Sequence, residues 1–171
     1  MTASLVESVP ADLLHKEISS LGVSHVLMVP DTHQKTLIAS LVEDPKLKVM
    51  TFSTEEEALC CSAGMWIGGT DALVLIQNVG LFAGMNALRG MCMDLRVPTC
   101  MLVGQYARDV TKTVEANSNS AVRLIEGVLQ TLDVPCYVID GPNDVGLLSK
   151  AFAQSRAERR PTVVLVSAPT S

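Results

Sequence analysis

The sequence predicts an α/β fold: a single-domain, doubly wound, mainly parallel six-stranded sheet with helices on both faces. Two observations carry this. Six short apolar runs are continuous rather than alternating, as expected of strands covered on both faces. Between them lie segments of helical period, so strand and helix alternate along the whole chain.

The strands are read at Ser24–Val29, Lys48–Phe52, Ala72–Gln77, Thr99–Val103, Cys136–Ile139 and Thr162–Val166. The first helix is read over Pro10–Leu21, with Pro in its first turn, Gly22 just past its end, and Leu13, Leu14, Ile18 and Leu21 as its apolar stripe. The other helices are placed at Thr36–Val42, Glu55–Ile67, Phe82–Met93, Val122–Leu132 and Asp144–Arg156. The longest segment without a pattern is Gly104–Ser120, and a loop of that length in a compact domain is often functional. Residues 1–171 are expected to form one domain with its core at about 10–168.

Composition narrows the function. The chain is 48% hydrophobic and 18% charged, too apolar for disorder. Its net charge of −5, without a Lys/Arg cluster, argues against nucleic acid. The Arg156–Arg160 charges read as a solvated helix end. No apolar run is long enough to span a membrane, and the N-terminus lacks the pattern of a secretory leader, so a cytoplasmic location is expected. Five cysteines without a CxxC pair read as small buried hydrophobes rather than a disulfide or zinc framework.

In doubly wound sheets ligands bind beyond the carboxyl ends of the strands. Pro30–His33, Ser53–Glu57, Asn78–Phe82 and Gly104–Asp109 are therefore the segments to weigh. Thr54 with Glu57 three residues on forms a capping box, which puts Glu55 at the first helical position. Glu57 is explained by the cap, and Glu56 lies about 100° further round the helix. Gln77-Asn78-Val79-Gly80 reads as a turn from the third strand into the next helix, with Gly80 permitting a close approach. It is neither GxGxxG nor a Walker loop. Pro30–Gln34 has no Gly, which disfavours a flavodoxin-like phosphate loop.

Taken together, these segments resemble the pyrimidine-binding (N-terminal) domain of thiamine-diphosphate enzymes, and within it the alpha subunit of sulfopyruvate decarboxylase and the phosphonopyruvate decarboxylases. Glu55 precedes Ala58 by three positions and Gly64 by nine, as the family's acidic residue does. Gln77-Asn78-Val79-Gly80-Leu81 matches its QNSGL-like segment, with Asn86-Ala87-Leu88 in register, and Val29-Pro30-Asp31-Thr32 matches its Val-Pro turn. The likeness runs from about Pro10 to Pro161. It implies that Glu55 hydrogen-bonds a ring nitrogen of the cofactor's aminopyrimidine and favours its imino form, a task suited to a carboxylate. It further implies cofactor contacts from Pro30, Thr32, Gln77, Asn78, Gly80 and Leu81, and makes Asp31, His33 and Arg108, with Lys35 and Lys112, candidates for an anionic 2-oxo acid.

The sequence departs from the family at Val79, Phe82 and Ala83, and Phe82 would put a large ring where a Gly leaves space beside the cofactor. The Gly-Asp-Gly and later Asn that hold Mg²⁺ on the diphosphate are absent, and Asp140–Asp144 reads as a turn. The resemblance therefore implies a hetero-oligomer, in which a beta subunit carrying GDG…N shares thiamine diphosphate with this chain and holds the Mg²⁺. Helices apolar on several faces at Met65–Ile67 and Phe82–Met93 agree with subunit contact. The competing expectation is a non-catalytic scaffold that keeps the fold.

Overall fold

The computed structural model describes residues 8–171. The reading of the extreme N-terminus falls mostly on residues 1–7, outside that range.

Six parallel strands form one sheet: β1 (His25–Met28), β2 (Lys48–Thr51), β3 (Ala72–Gln77), β4 (Cys100–Gly104), β5 (Cys136–Ile139) and β6 (Thr162–Val166), in the order β2-β1-β3-β4-β6-β5. Every pairing is parallel, so the sheet is wholly rather than mainly so. The helices are α1 (Ala11–Ser20), α2 (Lys35–Glu43), α3 (Glu55–Ile67), α4 (Asn78–Ala83), α5 (Met85–Ala87), α6 (Ser120–Thr131) and α7 (Leu147–Glu158).

The continuous apolar runs have a direct cause: alternate residues of each inner strand feed two separate cores. Val26, Leu73, Leu75, Leu102 and Val164 pack with Leu14, Ile18, Leu37, Leu41 and Leu148 beneath α1, α2 and α7. Leu27, Val74, Ile76, Met101 and Leu165 pack with Ala58, Leu59, Leu88, Ile125 and Leu129 beneath the helices of the other face. Each fully buried Leu or Ile contributes roughly 1.5–3 kcal/mol, so a polar residue on either face of β3, β4 or β6 would be costly.

Three expectations are corrected. Asn78–Gly80 is not a turn. β3 runs straight into α4, whose first residue is Asn78, because the Asn78 side-chain oxygen accepts the Val79 N–H at 2.9 Å and satisfies an orphan donor. The single helix expected at Phe82–Met93 is instead α4, then α5 after Gly84, then a π-helical stretch at Leu88–Asp94. Such π segments open a helix by one residue per turn and recur at functional sites.

The third correction is Arg156, which is not a solvated helix end. Its guanidinium stacks on Phe152 at 4.3 Å and Trp66 at 5.1 Å, donates to Pro98 O at 2.6 Å and meets Asp71 at 2.8 Å. It pins α7 to the end of α3 under the amino edge of the sheet, a use of the planar fork that Lys could not replace. The five cysteines are free, but only Cys92 and Cys100 are buried as expected, and Cys60 is exposed; burial pushes the thiols of Cys92 and Cys100 up to about 11 and that of the half-buried Cys136 up to about 12. No helix among the described residues is long and apolar enough to cross a membrane.

Candidate functional site

The strand order reverses at β1 and β3: β2 lies outside β1, and the chain then crosses back to β3. The carboxyl ends of β1 and β3 flank that switch point, where ligands of open α/β sheets bind. Helix α3 starts there and packs across both strands.

The first turn of α3 separates its three glutamates. Thr54 Oγ1 accepts the Glu57 N–H at 3.3 Å, while Glu57 Oε2 accepts the N–H groups of Ser53 and Thr54, each at 3.2 Å. The capping box thus takes up Glu57 and fixes the entry of the chain. Glu56 is exposed. Glu55 is half-buried, and its carboxylate rests against Gly80, in the volume that a β-carbon on that residue would need. Four residues on, the missing β-carbon of Gly84 leaves room for Leu59 Cδ1, 3.1 Å from that position, and for Glu55 Cβ, 3.5 Å away. Gly80 and Gly84 therefore share the face of α4 that seats α3.

Phe82 lies roughly opposite that face, since two residues turn a helix by about 200°. With Val79, Ser120, Ala121 and Leu124 it lines a surface groove of about 270 Å³ between α4 and α6. Its ring is therefore directed away from Glu55, and Ala83 is exposed on the surface.

The loop after β1 is built around Asp31, which is 3% exposed. Its Oδ1 accepts the His33 N–H at 2.8 Å and Gln77 Nε2 at 3.0 Å, and its Oδ2 accepts Gln34 Nε2 at 3.0 Å. Oδ2 also rests on Gly104, the β4 residue paired with Gln77, in the space of an absent β-carbon. The carboxylate thus lies across the end of β3 and ties β1, β3 and β4 together. Gly104 heads a segment weighed in the sequence, but its role and that of Gln34 come only from this long-range placement.

His33 is buried, and its Nε2 donates to Val166 O at 3.0 Å. Burial lowers its pKa from the ordinary 6.5, against the opposing pull of the Asp31 carboxylate and nearby backbone carbonyls. Asn78 and Leu81 are fully buried, and Leu81 belongs to the core under α3 and α4. Pro30, Thr32 and Lys35 are exposed at the rim.

Arg108 is committed to its own loop: its Nη1 donates to Asp109 O at 2.8 Å and to Lys112 O at 2.9 Å. Lys112 pairs with Asp109 at 2.8 Å, and hydrogen bonds from Lys112 and Thr111 hold the Asp109 carboxyl down at about 2. Neither cation joins Glu55 and Gln77. Among the described residues, no group of three His, Cys, Asp or Glu side chains is placed to hold a metal ion.

No family model matches the chain. It is 29% identical over 140 residues to phosphonopyruvate decarboxylase of Streptomyces viridochromogenes, a match covering 82% of this chain and 34% of that protein. It is 23% identical over 159 residues to the sulfopyruvate decarboxylase subunit alpha of Methanococcus maripaludis, covering 92% of this chain and 94% of that subunit. The chain thus spans about a third of the first relative and nearly all of the second. Its fold matches benzoylformate decarboxylase from Polynucleobacter necessarius with a TM-score of 0.74 at 16% identity, over 93% of this chain and 30% of that one. In sequence, the chain resembles the sulfopyruvate decarboxylase alpha subunit and the corresponding third of phosphonopyruvate decarboxylase, and in fold it resembles a domain of benzoylformate decarboxylase.

Proposed function

We propose that this chain is the pyrimidine-binding subunit of a thiamine-diphosphate-dependent decarboxylase of small anionic 2-oxo acids, of the sulfopyruvate or phosphonopyruvate class. The observation that carries the reading is the seat of Glu55. Of three adjacent glutamates, one is spent on the helix cap and one faces solvent. The third is set against a glycine at the switch point of the sheet.

The residues present fit the cofactor's aminopyrimidine. Gly80 leaves a gap where a side chain would otherwise displace the carboxylate, and Glu55 projects from the first turn of α3, where the helix dipole favours its charge. Glu55 would accept a hydrogen bond from the ring and hold the proton shared with it, while Gly80 and Gly84 keep that carboxylate in place. The bound cofactor would supply the electron sink for loss of CO₂. Pro30, Thr32, Gln77 and Asn78 would line the cleft, with Leu81 supporting it from the core.

Among the described residues no group of three His, Cys, Asp or Glu side chains is placed to hold the Mg²⁺ that accompanies a diphosphate, so we assign that ion and the diphosphate to a partner beta subunit bearing GDG…N. The relatives named as subunit alpha support such a partner. Phe82, which motivates the scaffold reading, faces the α4–α6 groove rather than Glu55, and this supports the catalytic reading.

The test is calorimetric titration of thiamine diphosphate and Mg²⁺ into the chain, alone and mixed with a GDG-bearing candidate, followed by CO₂ release from sulfopyruvate and phosphonopyruvate. Binding in the mixture only is expected. Glu55→Gln should lower turnover by several orders of magnitude with little change in melting temperature. Near wild-type turnover in that variant would sink the assignment.

A further inference from the structure

We infer that Asp31 is a positioning residue: it holds Gln77 so that the amide oxygen, not the amide nitrogen, is offered to the cleft, and the cleft thereby selects an amino group. The inference rests on the proposed function, since it assigns the ligand group that meets Gln77.

Asp31 receives three donors on its two oxygens, from His33 N–H, Gln34 and Gln77, so it acts toward all of them as an acceptor. Gln77 must therefore turn its NH₂ inward, and the oxygen on the same planar carbon points away from Asp31. Asp31 has little freedom to yield. It is almost fully buried, and its Oδ2 is lodged against the bare Cα of Gly104. Gln77 ends β3 at the switch point, three residues before the glycine that seats Glu55, and is only half-buried. Its oxygen has no protein partner among the described residues.

The chemistry of the acceptor narrows its ligand. A sulfonated 2-oxo acid presents carboxylate, oxo and sulfonate oxygens, all acceptors, and would be repelled by another fixed oxygen. An exocyclic amino group on an aromatic ring supplies the N–H that this oxygen needs. A neutral amide also avoids placing a second charge beside Glu55. A site built to hydrogen-bond one group rejects an isostere of opposite hydrogen-bonding sense strongly, because a buried polar atom is left unpaired.

The test compares thiamine diphosphate with oxythiamine diphosphate, in which an oxo group replaces the amino group, binding to the chain mixed with its GDG-bearing partner. Wild type is expected to prefer the amino form by tenfold or more. Asp31→Ala frees the Gln77 amide to rotate, and Gln77→Met removes the amide while keeping its length. Each should shrink the preference toward unity, and the double variant should shrink it no further than either alone. Equal weakening of both ligands, with the ratio unchanged, would mean a merely structural role and overturn the inference. Should Asp31→Ala fail to fold, hydrogen exchange of the Gln77 side-chain NH₂, assigned by its disappearance in Gln77→Met, decides whether Asp31 holds it. Slow exchange in the wild-type chain supports the hold, and fast exchange overturns it. Failure of wild type to bind either ligand overturns the proposed function instead.

Discussion

The carboxylate of Glu55 and the Cα of Gly80 occupy one seat: where another residue would carry a β-carbon, Gly80 carries the end of the glutamate. The atoms that an added methyl group would strike are the outer atoms of a flexible side chain, not backbone. Gly80→Ala is therefore expected to fold normally. Within α4 it should even gain about 0.5–1 kcal/mol from the lost backbone entropy of glycine. The cost falls on Glu55, which must swing out of place. Thermal melting unchanged or slightly raised, together with loss of thiamine diphosphate binding in the partnered enzyme, is the expected pair of results. A fall in stability with binding intact would contradict this account.

Arg159 caps α7 in the left-handed conformation, with φ 51° and ψ 58°. An L-residue with a β-carbon is strained there, and glycine is the usual occupant of that position. Arg159→Gly should raise stability by up to about 1 kcal/mol. For a chain of this size that corresponds to about 2–4 °C in melting temperature. The site lies at the opposite end of the sheet from Glu55, so turnover of the partnered enzyme should be unchanged.

His33 gives the fold a pH dependence whose sign follows from its burial. Its pKa in the folded chain lies below 6.5, so in the window between the two values the unfolded chain binds more protons than the folded one. Stability then rises with pH through that window and is lost as pH falls below about 6.5. Urea midpoints measured between about pH 5 and 7 should show this slope in the wild type, and His33→Gln should flatten it. An identical slope in the variant would place the titration elsewhere.

Much of this architecture is legible in the sequence, and the reason is local. β3, β5 and β6 fall where their apolar runs fall, and α3 begins at Glu55 because the Thr54–Glu57 capping box is written in adjacent residues. What could not be read depends on where individual side chains reach. Asn78 looks like a turn former, yet it starts a helix because its own side chain satisfies the next N–H. Arg156 looks solvated until Trp66, Pro98 and Asp71 are brought around it. Likewise, Asp31 was weighed as a substrate contact, and its bonds to Gln34 and Gln77 emerge only once β1, β3 and β4 lie side by side.

The split of α4 into two faces sets what this helix is free to become. Gly80 is bound to one arrangement, because a side chain there displaces the Glu55 carboxylate, and Gly84 leaves α3 close room for Leu59 and Glu55. Val79 and the exposed Leu124 of α6 across the groove meet no such demand and can change in size or polarity without moving Glu55. A lineage could thus alter which surface this helix presents to a neighbouring subunit, and so exchange partners, while the position of its glutamate stays fixed.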